Sequence, residues 1–68
     1  MKEIGQVIRN RRKLLGVSQS QLASIAGVGI NTLTKIERGE GNPSLSVLMR
    51  VLNSLGLGLS VKVKGAEV

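Results

Sequence analysis

Asn31, Thr34 and Lys35 place an amide, a hydroxyl and an amine within one short stretch of the chain. These groups donate and accept hydrogen bonds, and Lys adds a positive charge. Little else in the sequence is equipped for chemistry. There is no His, Cys, Asp or Tyr, so the usual general bases and nucleophiles shrink to Glu, Ser, Thr and Lys. The 4 acidic residues are all Glu, and they are scattered, with no spaced pair of the kind that hydrolysis uses. Glu3 and Glu67 also lie near ends that fray. No local catalytic motif is present. Without Cys there is neither a disulfide nor a thiolate metal site. The composition argues against an enzyme and calls for no cofactor. The polar groups suit recognition.

The charge balance says what kind of partner to expect. Lys and Arg number 10 against 4 Glu, for a net charge of +6. An anionic surface, nucleic acid or membrane, is the natural complement. No apolar run approaches the roughly 18 residues that suggest a membrane span. The stretch MKEIGQVIRNRRKL has no apolar signal core, so a cytoplasmic, nucleoid-associated location is expected. A membrane-surface helix ranks last, because the first apolar stripe is narrow and has no aromatic anchor. With 68 residues the chain has room for one domain at most. Its core must come from Leu, Ile, Val, Ala and Met, and at this size a partner chain is expected to add stability.

The elements follow from periodicity and punctuation. Ile4, Val7 and Ile8, continued by Leu14 and Leu15, predict a first helix over 3–15, with a basic second half that suits its dipole. Gly16 stops it. Ser18 is a good N-cap with Gln21 three residues on, and Val17 and Leu22 stand at staple positions. A second helix is expected over 19–26, with Leu22, Ala23, Ile25 and Ala26 inward. Gly27 ends it in the left-handed conformation, and Val28 plugs the corner. A third helix is expected over 30–38, with Leu33 and Ile36 facing the core and Ile30, Asn31, Thr34 and Lys35 on the other side or its margins. The loop of Gly39, Gly41, Asn42 and Pro43 leads to Ser44, which caps a fourth helix over 45–54. Its apolar set is Leu45, Leu48, Val51, Leu52 and Leu55, and Gly56 closes it.

After Gly56 the period changes. Leu57, Leu59, Val61 and Val63 alternate with Gly58, Ser60, Lys62 and Lys64, which is a strand pattern. A lone strand leaves its edges and one apolar face unsatisfied. No second strand candidate exists, so the simplest mate is the same strand of a second copy. A disordered tail is the competing reading, but it has no need for four alternating apolar residues. The expected division is a domain over 1–56 and a dimerisation strand with a frayed end over 57–68.

The text RRKLLGVSQSQLASIAGVGINTLTKIERGEGNPSLSVLMRVLNSLG resembles the lambda-repressor-like helix-turn-helix domain, also called the Cro/C1 or XRE type. The likeness covers about residues 4–56. It is carried by Leu15-Gly16-Val17-Ser18-Gln19, Leu22-Ala23, Ala26-Gly27-Val28, Ile36-Glu37-Arg38-Gly39, Asn42-Pro43-Ser44-Leu45 and Leu52-Asn53-Ser54-Leu55-Gly56, in order. Each is weak alone; together they are specific. The resemblance implies a mainly α, four-helix fold. The short terminal strand looks like the HipB-like antitoxin branch, in which tail strands of two subunits pair. That branch also binds a HipA-like kinase toxin and represses its own operon.

The resemblance further implies a structural ion pair between Arg12 and Glu37. The residues agree, since a carboxylate near a helix C-terminus is unfavourable without a cation beside it. The geometry could be bidentate; two solvated charges are the alternative. In this architecture the third helix enters the major groove of double-stranded DNA and the second lies across the backbone. The base-reading candidates are Ile30, Asn31, Thr34 and Lys35. Asn31 suits adenine, Lys35 suits guanine or phosphate, and Ile30 suits a thymine methyl unless it belongs to the core. The backbone candidates are Gln19, Gly29, Arg38 and Asn42. Gly29 departs from the family's Ser or Thr cap, at a cost of only a few tenths of a kcal/mol. A homodimer would set two recognition helices about 34 Å apart on an inverted repeat. Three functions are thus in play: an antitoxin repressor, a phage-type or free-standing regulator, and a protein-interaction module that reads no DNA.

Overall fold

Serines and glycines cut the chain into short helices, and each cut is a local hydrogen-bonding solution. The computed structural model describes residues 2–60. In it lie α1 (Lys2–Leu14), α2 (Gln19–Ala26), α3 (Ile30–Glu37) and α4 (Leu45–Ser54). Ser18 opens α2 with a full capping box: its Oγ accepts from the Gln21 N–H at 3.0 Å, and its own N–H donates to Gln21 Oε1 at 2.8 Å. Ser44 caps α4 by accepting from the Val47 N–H at 3.1 Å. Gly29 caps α3 with no side-chain bond. At Gly27 the backbone turns left-handed (φ 70°), which lets the Val28 N–H reach back to the Ala23 carbonyl at 3.0 Å and redirects the chain into α3.

The core is built from one face of each helix. Ile8, Leu22, Ala23, Ala26, Leu33, Ile36, Leu48, Val51, Leu52 and Leu55 are buried together. α2 packs on both α3 and α4, and α1 packs on α3. Ile4, Val17, Val28, Val47, Met49 and Leu57 close the margins. The two alanines of α2 keep the side-chain layer thin where it meets its neighbours.

Several sequence expectations are corrected. α1 runs one residue earlier at each end than predicted, and α3 stops at Glu37 with Arg38 as its cap. Leu14 (75% exposed) and Leu15 (48%) do not extend the stripe of α1. The buried face of α1 is Gly5, Ile8 and Arg12, so Leu14 lies on the far side and Leu15 falls in the turn beyond. Ile25 is 66% exposed, because Leu22, Ala23 and Ala26 already define the inner face of α2 and Ile25 sits at its edge. Leu45 opens α4 a full turn before the core begins at Leu48 and is likewise exposed. In the tail, the Leu57 N–H donates to the Leu52 carbonyl at 2.8 Å and its side chain packs on the chain's own core, while Leu59 is exposed. Residues 57–60 carry no strand, and Val61 and Val63 lie outside the described residues.

One contact escaped the sequence reading. Gly5 is buried in α1 directly against the last turn of α3. A Cβ there would overlap the Ile36 carbonyl oxygen and lie 3.1 Å from that of Glu37. Both obstacles are backbone, which cannot swing aside. Gly5→Ala gains up to about 1 kcal/mol of helix propensity but forces α1 off α3, at about 1–3 kcal/mol for overpacking. The expected net result is a lower melting temperature, whereas Gly58→Ala, with open space around its Cβ, should leave it nearly unchanged. Thermal melts of the two variants check this. A Gly5→Ala variant as stable as the parent would disprove the close crossing.

Candidate nucleic-acid interface

Glu37 ends α3, where the helix dipole disfavours an anion, and it is only 8% exposed. Its carboxylate is met by Arg12 from α1 in a two-pronged bond. Arg12 Nε donates to Oε2 at 2.7 Å and Nη2 to Oε1 at 2.9 Å. The third arm of the guanidinium, Nη1, donates to the Val17 carbonyl at 3.0 Å, in the turn before α2. Gln19, the first residue of α2, adds a donor: its Nε2 lies 3.1 Å from Glu37 Oε1. One carboxylate thus ties α1, the α1–α2 turn, α2 and α3 to a point. Among the described residues, no buried side-chain polar atom is left without a partner.

The electrostatics agree with the geometry. Burial pushes the Glu37 carboxyl up, but the hydrogen bonds from Arg12 and Gln19 and the charges of Arg12 and Arg9 outweigh it and hold the group below its ordinary value. The bond to Glu37 likewise raises the Arg12 guanidinium, against the opposing effect of burial.

This junction braces a helix whose other side is open. Ile30 (47% exposed), Asn31 and Lys35 face solvent on α3. Ile30 is therefore no core residue. Thr34 is set apart from them: it is half-buried, its Oγ1 donates to the Ile30 carbonyl at 2.8 Å, and it lies beside Gln19 Oε1. The four base-reading candidates thus divide into three that face outward and one that faces α2.

The backbone candidates are placed differently again. Gln19 is half-buried with its amide engaged on Glu37. Gly29 and Arg38 are exposed at the two ends of α3. Asn42 is exposed and shares a shallow hollow with Thr32, Lys35 and Pro43. Arg38 shares an open polar cleft of about 460 Å³ with Arg9, Arg12, Gln19, Thr34 and Glu37. From sequence Arg9 stands with Lys13, Arg11, Arg38 and Arg50 as basic residues of which some are expected to touch phosphate and others to be solvated surface; its place one turn before Arg12 on the same helix is the signal that sorts it. Arg11, by contrast, turns away: its Nε donates to the Leu55 carbonyl at 3.0 Å, at the end of α4.

Two short helices, a left-handed Gly turn and an exposed polar face on the second of them define a helix-turn-helix, a regulatory and non-catalytic class of domain. The chain belongs to the helix-turn-helix family, whose pattern its residues 8–62 match. It is an HTH-type transcriptional regulator of the Cro/C1–XRE superfamily. It is 39% identical over 66 residues to an HTH-type transcriptional regulator of Haemophilus influenzae, covering 93% of this chain and 66% of that one. It is 42% identical over 60 residues to the immunity repressor protein of Bacillus phage phi105, covering 88% of this chain and 42% of that one. Among solved structures it superimposes on SinR, a master regulator of biofilm formation crystallised with DNA, with a TM-score of 0.73 and 43% identity over 81% of this chain and 89% of that one.

Removing one partner of a buried ion pair strands the other. Arg12→Ala or Glu37→Gln should each cost about 3–5 kcal/mol, seen as a large drop in urea midpoint. The pH profile separates this from simple packing loss. Because the Glu37 pKa is lowered on folding, its stabilisation is present above the unfolded value of about 4.3. It is lost as pH falls through the folded value. In Glu37→Gln that acid-side loss should vanish. Parallel pH profiles for parent and variant would rule out the pair as the source.

Proposed function

We propose that the chain represses transcription as a homodimer on an inverted-repeat operator in double-stranded DNA, as a phage-type or free-standing regulator. The observation that carries this is the outward face of α3, Ile30, Asn31 and Lys35, on a helix braced from behind by the Arg12–Glu37 bond. α3 fits the major groove, where Asn31 can pair with adenine N6 and N7, Lys35 with guanine, and Ile30 with a thymine methyl. Gln19, Gly29, Arg38 and Asn42 stand where the adjoining phosphate backbones would pass, and Thr34 lies beside Gln19 with its hydroxyl turned to the Ile30 carbonyl. A dimer doubles this small footprint and spaces the two recognition helices by about 34 Å, one turn of duplex. The ligand places the protein with the nucleoid, in the cytoplasm.

The names of the relatives support a regulator of this kind: one is a phage repressor and one was crystallised with DNA. The antitoxin reading, with its HipA-like kinase partner, rests on pairing of Leu57, Leu59, Val61 and Val63 between subunits. Leu57 is engaged with the chain's own core, and Val61 and Val63 lie outside the described residues. The free-standing regulator is therefore the better-supported of the two.

Fluorescence anisotropy with a duplex from the gene's own upstream region tests the proposal. If each subunit neutralises about three or four phosphates, log affinity should fall against log salt with a dimer slope of roughly −5 to −7. Asn31→Ala with Lys35→Ala should weaken operator binding by about tenfold or more and bring it close to the affinity for unrelated duplex. A salt-independent affinity, or a double variant that still prefers the operator, would overturn the groove assignment and favour an interaction module instead.

A further inference from the structure

We infer that Arg9, together with Arg38, seats a DNA backbone phosphate in the cleft where α1, α2 and α3 meet, above a floor made by the Arg12–Glu37 pair. The inference rests on the DNA-binding reading and adds to it a residue and a site. The cleft is lined by three guanidiniums, Arg9, Arg12 and Arg38, against one carboxylate, Glu37. That carboxylate is already committed. Both of its oxygens accept from Arg12, and one accepts from Gln19 as well. Arg9 acts on that carboxylate only through space and Arg38 forms no ion pair with it, so both guanidinium groups keep their N–H donors open to a ligand.

Glu40 is the one other carboxylate close by. It borders an adjoining hollow with Lys2, Gln6, Arg9 and Arg38. Among the described residues, however, the Arg12–Glu37 bridge is the only ion pair, so Glu40 claims neither arginine. Both arginines are exposed, so a ligand can reach them. Gln19 is a weak substitute for them as a phosphate ligand, since one of its amide hydrogens is already directed at Glu37. A phosphodiester suits the pair. It is a single anion with two free oxygens, and guanidinium forks match that geometry. The place is also right, because Thr34 and Arg38 in the cleft wall belong to α3 and its cap, the element proposed to enter the groove. The basic run of α1 is thereby divided: Arg9 faces the ligand, Arg12 holds α3, and Arg11 holds the end of α4.

The test uses the full chain, with anisotropy on the upstream duplex and on an unrelated duplex, and a melting curve for each variant. Arg9→Gln should melt like the parent and bind both duplexes about tenfold more weakly. It should also flatten the salt slope by about 2 per dimer, one phosphate contact per subunit. Arg11→Gln should do the reverse, melting lower while keeping the slope. A folded Arg9→Gln with unchanged affinity and slope overturns the inference and leaves the regulator reading intact. A loss confined to the operator also overturns it, because that would make Arg9 a reader of bases. If the parent binds neither duplex, both readings fall. Inorganic phosphate at matched ionic strength separates a backbone phosphate from a free anion. If it raises the parent's melting temperature while Arg9→Gln keeps its DNA affinity, the cleft is a free-anion site and the inference is overturned.

Discussion

The orientation of α3 depends on a carboxylate in a hostile position. Glu37 stands at the negative end of its own helix and is almost fully removed from water. Left alone there, it would be protonated or would unwind the last turn. Arg12 reverses this by meeting both oxygens in a planar fork while anchoring its remaining arm on the Val17 carbonyl. A cation that only neutralised Glu37 could sit anywhere nearby. One that also bonds the α1–α2 turn fixes the relative position of α1, α2 and α3. Gln19 completes the arrangement, so the start of α2 and the end of α3 share one acceptor. A hydrophobic substitute could fill the same volume without costing desolvation. It would not dictate where α3 points, and pointing is what the role proposed for α3 in the groove requires.

The close crossing at Gly5 serves the same end by different physics. α1 touches the last turn of α3 through backbone at Gly5 and through charge at Arg12, two turns apart on one helix face. Two separated contacts remove the freedom to rock that a single one would leave. Neither contact depends on a bulky apolar side chain. This matters in a chain with no aromatic residue, whose core consists of small aliphatic groups.

Much of this was legible in the sequence where the controlling physics is local. The cap at Ser18 with Gln21, the left-handed stop at Gly27 and the cap at Ser44 are each decided within a few residues, and so each could be read. The oddity of an acidic residue at Glu37 could be read too, because a dipole conflict demands a partner. What could not be read depends on which neighbours arrive. Periodicity marked Leu14, Leu15, Ile25 and Leu45 as apolar positions, but exposure is set by where the other helices end. The contact at Gly5 could not be read, since nothing in the string shows that a carbonyl of residue 36 lies above it. The alternation from Leu57 onward suggests a strand whose second half lies outside the described residues; within them, Leu57 packs on the core and bonds to Leu52 at the end of α4. In the candidate interface, Asn31, Thr34 and Lys35 were one set by spacing. Local bonding divides them, because a Thr hydroxyl can turn back to the carbonyl four residues earlier while an Asn or Lys side chain extends outward.

A net charge of +6 is commonly read as a measure of appetite for nucleic acid. The disposition of the arginines is more informative than their number. Arg12 is paired with a carboxylate and Arg11 is tied by one N–H to a carbonyl, so two of the four arginines on α1 and at the cap of α3 act as struts. The charge available to a ligand is what the architecture leaves over, and on this side of the molecule it is left at Arg9 and Arg38, beside the brace itself. The coupling follows from that placement. On the proposed reading, an anion drawn to those two arginines would settle against the group that aligns α3, so holding the backbone and aiming the helix would become parts of one contact.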